Sequence, residues 1–220
     1  MSPTDPSQYF QEAELLKVIP PTPPDDLEKF WMPRYADALQ IHPRPRLYHT
    51  GRQHNGFEIF DLQYRSTDGI DIHGWATVPI SHPVRRVLVV GHGYGGSDGP
   101  SSQVPLQDAA YLWPCLRGIA CSKLQGVPHD PYYHVLYDID KIDKYILGGC
   151  VEDLWLAVSA AEKLFPATRN RLGLLGISFS GGLGAIATAW DERIRRAHFE
   201  VPTFGNHELR MTLPSWGSAK

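Results

Sequence analysis

Cysteine is scarce: Cys115, Cys121 and Cys150 are the only three in 220 residues. An odd number, with no secretory leader ahead of it, argues against a disulfide framework. Cys115 and Cys121 are near enough in sequence to pair, but free thiols in a reducing cytoplasm are the favoured reading. Neither a Cys-x-x-Cys nor a His-x-x-x-His spacing occurs, so no metal site is expected. Apolar runs are short, and none approaches the roughly 18 residues of a membrane span. The opening Met1-Ser2-Pro3-Thr4-Asp5-Pro6 has no basic region and no apolar stretch behind it, unlike a signal peptide. Charge of one sign is not concentrated either. Lys and Arg number 21 against 24 Asp and Glu, for a net charge of −3. Without a basic cluster a nucleic-acid partner is not expected. These absences leave a cytoplasmic protein with neither a membrane nor a nucleic acid as partner.

What is present is ordinary globular composition, 42% hydrophobic and 20% charged, in a chain long enough for one sizeable core. Residues 1–24 read as a Pro-rich arm, with one amphipathic stretch at 9–18. The run Pro20-Pro21-Thr22-Pro23-Pro24 can be neither helix nor central strand and serves as a stiff connector. A single domain is expected over 25–220. Asp25-Asp26 should cap a helix to about Leu39, with Leu27, Phe30, Trp31 and Tyr35 on one face and a kink or break at Pro33. Residues 57–79 alternate in hydrophobicity around Asp68-Gly69 and predict an antiparallel hairpin.

The pattern then changes. Residues 86–90 are a short continuous apolar run, typical of a strand buried on both faces; 171–175 read as a second buried strand and 196–201 as a third strand, closed by Pro202. Residues 110–116 are a further strand or buried segment, and 120–135 are irregular. Helices are expected over 151–165 and from Ser180 or Gly181 to about Trp190. Strand and helix alternate, which predicts an α/β fold: a mostly parallel sheet with helices on both faces and an N-terminal antiparallel hairpin.

The chemistry sits in Leu175-Gly176-Ile177-Ser178-Phe179-Ser180-Gly181-Gly182. A buried strand feeds a sharp turn, and a small-residue helix leaves it, as in a nucleophile elbow. Positions two before and two after the nucleophile must be small, because strand and helix nearly touch there. Gly176 and Ser180 fill those places around Ser178, the candidate nucleophile. A second register makes Ser180 the nucleophile. In the plainest reading, either serine only caps a glycine-rich helix. Restoring the strict pattern with Ser180→Gly is expected to raise activity. Upstream, His92-Gly93-Tyr94-Gly95-Gly96 follows the first buried strand, where glycines let the backbone approach a substrate. The N–H groups of Tyr94 and Phe179 are then the candidate oxyanion donors.

Several segments together resemble one known family. They are the helix beginning Pro24-Asp25-Asp26-Leu27-Glu28-Lys29-Phe30-Trp31, the hairpin segment Asp68-Gly69-Ile70-Asp71-Ile72-His73-Gly74-Trp75, His92-Gly93-Tyr94, Arg117-Gly118-Ile119, the elbow at 171–183, and Glu200-Val201-Pro202. Over about residues 25–215 the chain resembles the acetyl xylan esterase and cephalosporin C deacetylase family, carbohydrate esterase family 7. The resemblance implies an α/β-hydrolase fold and a serine esterase, often oligomeric. It would remove acetyl groups from small or oligomeric sugar esters and need no cofactor. Where the family has Gln, this chain has Ile119 and Phe179, and Ser180 replaces the second elbow glycine. Phe179 is expected to narrow the acyl pocket. The resemblance puts the catalytic acid and histidine downstream of Lys220, so the C-terminal strands are expected to be missing. His207-Glu208 imitates the family's His-Glu at another position, which makes His207 a candidate base; Glu200 is well placed at a C-terminal strand end and is a further catalytic candidate, but it is read first as holding a loop together. Two other readings stay open: an inactive hydrolase-like binding module, and a peptidase or other acyl hydrolase of the same fold.

Overall fold

The computed structural model describes Ala13 and residues 16–212. Most of the amphipathic stretch at 9–18, and residues 213–220, lie outside the described residues. Helix α1 (Leu27–Gln40) runs unbroken through Pro33, where a kink or break was expected. The proline and the carbonyl-bearing Lys29 one turn before it are both exposed, so the freed carbonyl faces solvent. Trp31 and Tyr35 hold the helix edge-on against Trp155, at centroid distances of 6.0 and 5.0 Å. Leu27, expected on the same face, is exposed.

The sheet has seven strands in the order β1-β2-β3-β5-β4-β6-β7. The predicted hairpin is β2 (Phe57–Arg65) and β3 (Asp71–Pro79), paired from Phe57↔Pro79 to Arg65↔Asp71. Strand β1 (Arg46–His54) extends it antiparallel, with an irregularity between His49 and Arg52. This strand carries little sequence signal because most of it is exposed. Strand β5 (Ala109–Pro114) pairs antiparallel with β3 and parallel with β4 (Arg86–Gly91). Strand β6 (Leu172–Ile177) lies parallel to β4, and β7 (Ile194–Glu200) parallel to β6 at the sheet edge. The sheet is therefore mixed, and its parallel part carries the elbow.

A short helix α2 (Pro131–His134) interrupts the expected irregular stretch. Helix α3 (Ile146–Leu164) starts five residues before the sequence suggests. Gly148 and Gly149 hide that start, since glycine lowers helix propensity. They are needed for packing: a Cβ at Gly149 would lie 2.2 Å from Arg117 Nη1, and one at Gly148 2.7 Å from Arg34 Nη2. Helix α4 (Phe179–Trp190) follows β6 directly. Trp155 of α3 is fully buried and donates its indole N–H to the Ala187 carbonyl at 3.0 Å, which locks α3 to α4.

Helices α1, α3 and α4 pack on one another over the sheet in one core. Val87, Val89, Leu172 and Leu174 point into that helical core. The opposite face carries Phe57, Ala109 and Tyr111, packed by Val104 and Leu106. The β4-to-β5 connection crosses there as a loop because its many glycines and prolines break helix. Beside it lies a groove of about 560 Å³ lined by Leu88, Gly173 and the arginines Arg85, Arg86, Arg171, Arg195 and Arg196.

Candidate active site

Strands β4 and β6 run in register, Gly91 opposite Gly176, so both leave the sheet at the same level. At that level β6 turns sharply into α4. Ser178 makes the turn with φ 49° and ψ −107°, a conformation that costs a non-glycine residue roughly 1–3 kcal/mol. The surroundings hold it there. The Ser178 N–H donates to the Glu200 carbonyl at 2.8 Å. The Ser178 carbonyl accepts from the N–H groups of Gly182 at 3.0 Å and Thr203 at 3.1 Å.

Small residues are required on both sides. A Cβ at Gly176 would lie 2.4 Å from the Ser180 carbonyl oxygen, and one at Gly182 2.1 Å from that of Thr203. A Cβ at Gly91 would lie 2.3 Å from the Ser180 Cβ. Ser180 is buried and donates its hydroxyl to the His92 carbonyl at 2.6 Å, while its N–H reaches the same oxygen at 3.2 Å. The two serines are thus separated by geometry. Ser178 stands half-buried at the turn, and Ser180 ties the elbow to the loop after β4.

That loop is braced by an imidazole. His92 Nε2 accepts the Leu116 N–H at 3.0 Å, so its proton sits on Nδ1 and is donated to the Gly93 carbonyl at 2.7 Å. Burial pushes the His92 pKa down, which keeps the ring neutral. The Tyr94 hydroxyl donates to His134 Nδ1 at 3.0 Å, and His134 Nε2 donates to the Arg117 carbonyl at 2.9 Å. Burial lowers the His134 pKa as well. Among the described residues no acceptor is paired with the backbone N–H groups of Tyr94 and Phe179. Free amides at a helix N-terminus favour developing negative charge. The Phe179 ring is fully buried against Tyr94, at 4.1 Å between centroids, and against His134 and Phe204. Its side chain packs in the core under the turn.

Sequence reasoning missed the buried network behind this loop. Arg117 spans Asp153 at 2.7 Å, Thr67 at 2.6 Å and Asp68 at 3.2 Å. Asp153 also accepts from the Ser66 hydroxyl at 2.6 Å and from the Arg117 N–H at 2.9 Å. Glu152 pairs with Arg34 at 2.7 Å, and burial raises its pKa. Only the charged types within helix α3 could have hinted at it: Glu152-Asp153 fall on an otherwise apolar, buried stretch. His134 had no local signal at all.

Among the described residues neither of the other two candidates gives the Ser178 hydroxyl a side-chain hydrogen bond. His207 begins α5 (His207–Met211) and is exposed, with its ring 6.3 Å from that of Phe204. Glu200 is exposed at the end of β7 and meets the elbow through its backbone carbonyl. Among the described residues no histidine hydrogen-bonds the Ser178 hydroxyl, and no group of three or more His, Cys, Asp or Glu could hold a metal ion. No described helix is long and apolar enough to cross a membrane.

Comparison with known proteins gives one family match: the profile described as Acetyl xylan esterase (AXE1) covers residues 17–215. Among solved structures, an acetyl xylan esterase from Paenibacillus sp. R4 superposes with a TM-score of 0.79 at 22% identity, covering 96% of this chain and 70% of that one. Acetyl xylan esterase 1 from Thermoanaerobacterium sp. JW/SL YS485 gives 0.73 at 19% identity, covering 92% and 67%. At these identities the structural likeness is one of fold.

Proposed function

The chain belongs to the acetyl xylan esterase family of α/β-hydrolases, and from that premise we propose that it is a serine-dependent carboxylic-ester hydrolase releasing acetyl or other short acyl groups. Its substrates are small-molecule or oligosaccharide esters of sugars. The observation that carries this reading is Ser178 held at φ 49° and ψ −107° between a buried strand and the N-terminus of α4. Ser178 Oγ attacks the ester carbonyl and gives its proton to a histidine base. The tetrahedral oxyanion docks on the Tyr94 and Phe179 amides. The alcohol leaves, and water hydrolyses the acyl-enzyme. Losing one oxyanion donor typically costs about 10²–10³ in rate.

The absent histidine partner of Ser178 among the described residues favours a second reading, a hydrolase-shaped module with residual activity only. Without its base a serine site keeps about 10³–10⁴-fold over water. Hydrolysis of p-nitrophenyl acetate, with Ser178→Ala and His207→Ala beside the wild type, separates the two. Turnover that Ser178→Ala abolishes supports the esterase. If His207→Ala abolishes it too, His207 is the base. Equal rates in wild type and Ser178→Ala would sink the assignment. We further place the protein in the cytoplasm, a reading supported by its three free thiols.

A further inference from the structure

Cys115 follows β5 and is buried, and Cys121 lies on the turn Ala120–Ser122 and is exposed. Their sulfurs are 2.7 Å apart. The contact is built into the fold, since both ends of the segment rest on one residue of β3. The Cys115 N–H donates to the His73 carbonyl at 2.9 Å. The neighbour of Cys121, Ser122, accepts the His73 N–H at 2.8 Å and donates its hydroxyl to the His73 carbonyl at 3.2 Å. The loop closes on itself through the Gly118 N–H to the Ser122 carbonyl at 2.8 Å. Ala120 is held at φ 47° within it. The loop also supports the turn after β4. Leu116 donates to His92, and a Cβ at Gly96 would lie 3.0 Å from both Ala120 Cβ and Ile119 Cγ2.

We propose that Cys115 and Cys121 are a dithiol modification site, which a low-molecular-weight disulfide oxidises to an intramolecular disulfide that locks the loop under His92 and Gly96. Exposure assigns the first step to Cys121. Its sulfur attacks one sulfur of the small disulfide, and one small thiol leaves with the proton that Cys121 gives up. Cys115 then attacks Cys121 Sγ, loses its own proton and expels the second small thiol. The two protein thiols lose two electrons and two protons, and the small disulfide gains them. Once Cys121 carries the small thiol, the close approach of the two sulfurs, 2.7 Å in the reduced protein, puts Cys115 within reach of Cys121 Sγ for the resolving step. Cys150 is fully buried, out of reach of a small disulfide, so it is a spectator.

The test is incubation of the purified chain with oxidised glutathione, read by intact mass, peptide mapping and thermal melting. The expected result is loss of two hydrogens, a bridged Cys115–Cys121 peptide and a still-reduced Cys150. The short loop predicts a melting point about 5 °C higher, reversed by dithiothreitol. Cys121→Ser, at an exposed site that folding tolerates, removes the mass change and the shift, whereas Cys150→Ser keeps both. A glutathione adduct that persists on Cys121, three free thiols after oxidation, or a bridge without a change in melting point overturns the proposal. None of these readouts uses catalysis, so failure here is separate from failure of the esterase assignment.

Discussion

Replacing the two elbow serines in turn tests the site's geometry most directly. The Ser180 hydroxyl is buried and donates to the His92 carbonyl at 2.6 Å. In Ser180→Ala that carbonyl keeps the Ser180 N–H at 3.2 Å, so it is not orphaned. The loss is then one net buried hydrogen bond, about 1 kcal/mol. For a domain of this size that lowers the melting point by about 2–4 °C. Ser180→Gly loses the same bond and adds up to about 1 kcal/mol for glycine in a helix. It should be the less stable of the two, although the sequence pattern alone predicts a gain in activity. Labelling by a fluorophosphonate serine probe gives the chemical readout. Ser178→Ala should abolish labelling. Ser180→Ala should keep it within about tenfold, because a loop displaced at a cost near 1.4 kcal/mol changes a rate by that factor. Labelling lost in Ser180→Ala but retained in Ser178→Ala would refute the register. A Ser180→Ala protein as stable as wild type would refute the role of the hydroxyl as a tie between the two turns.

Arg117→Ala leaves Asp153 buried without its main partner, and a loss of about 3–5 kcal/mol in chemical denaturation is expected; a change below about 1 kcal/mol would show that the network contributes little. Gly176→Ala drives a Cβ to 2.4 Å from the Ser180 carbonyl, so labelling of Ser178 should fall with stability, and full labelling at wild-type melting temperature would contradict the close approach. Acid should destabilise the fold through His92 and His134, whose pKa values burial pushes below the ordinary 6.5. The unfolded chain binds those protons first, so this stability is full above about pH 6.5 and falls as pH drops toward the depressed folded values, by at most about 2.7 kcal/mol per pH unit for two groups. Melting curves from pH 8 to 5 check this, and His134→Gln should flatten the slope.

The sequence by itself determined most of the local elements and marked the candidate site. Gly176, Ser178 and the small residues after them specify an elbow because only that strand-to-helix turn needs small residues at both flanks. The apolar runs at 86–90 and 171–175 specify buried parallel strands, and Asp68-Gly69 a hairpin, through periods that a short window contains. Tertiary structure decided whatever depends on who meets whom. Ser178 and Ser180 are chemically alike, and only the approach of the His92 carbonyl shows that one is turned inward. Glu152 and Asp153 find their partners only when Arg34 and Arg117 arrive from far along the chain to neutralise them. Cys115 and Cys121 are near enough in sequence to pair, but only His73, on another strand, draws both ends of their loop together. Such contacts pair residues distant in sequence, and their energy comes from burial and desolvation, which no local pattern records.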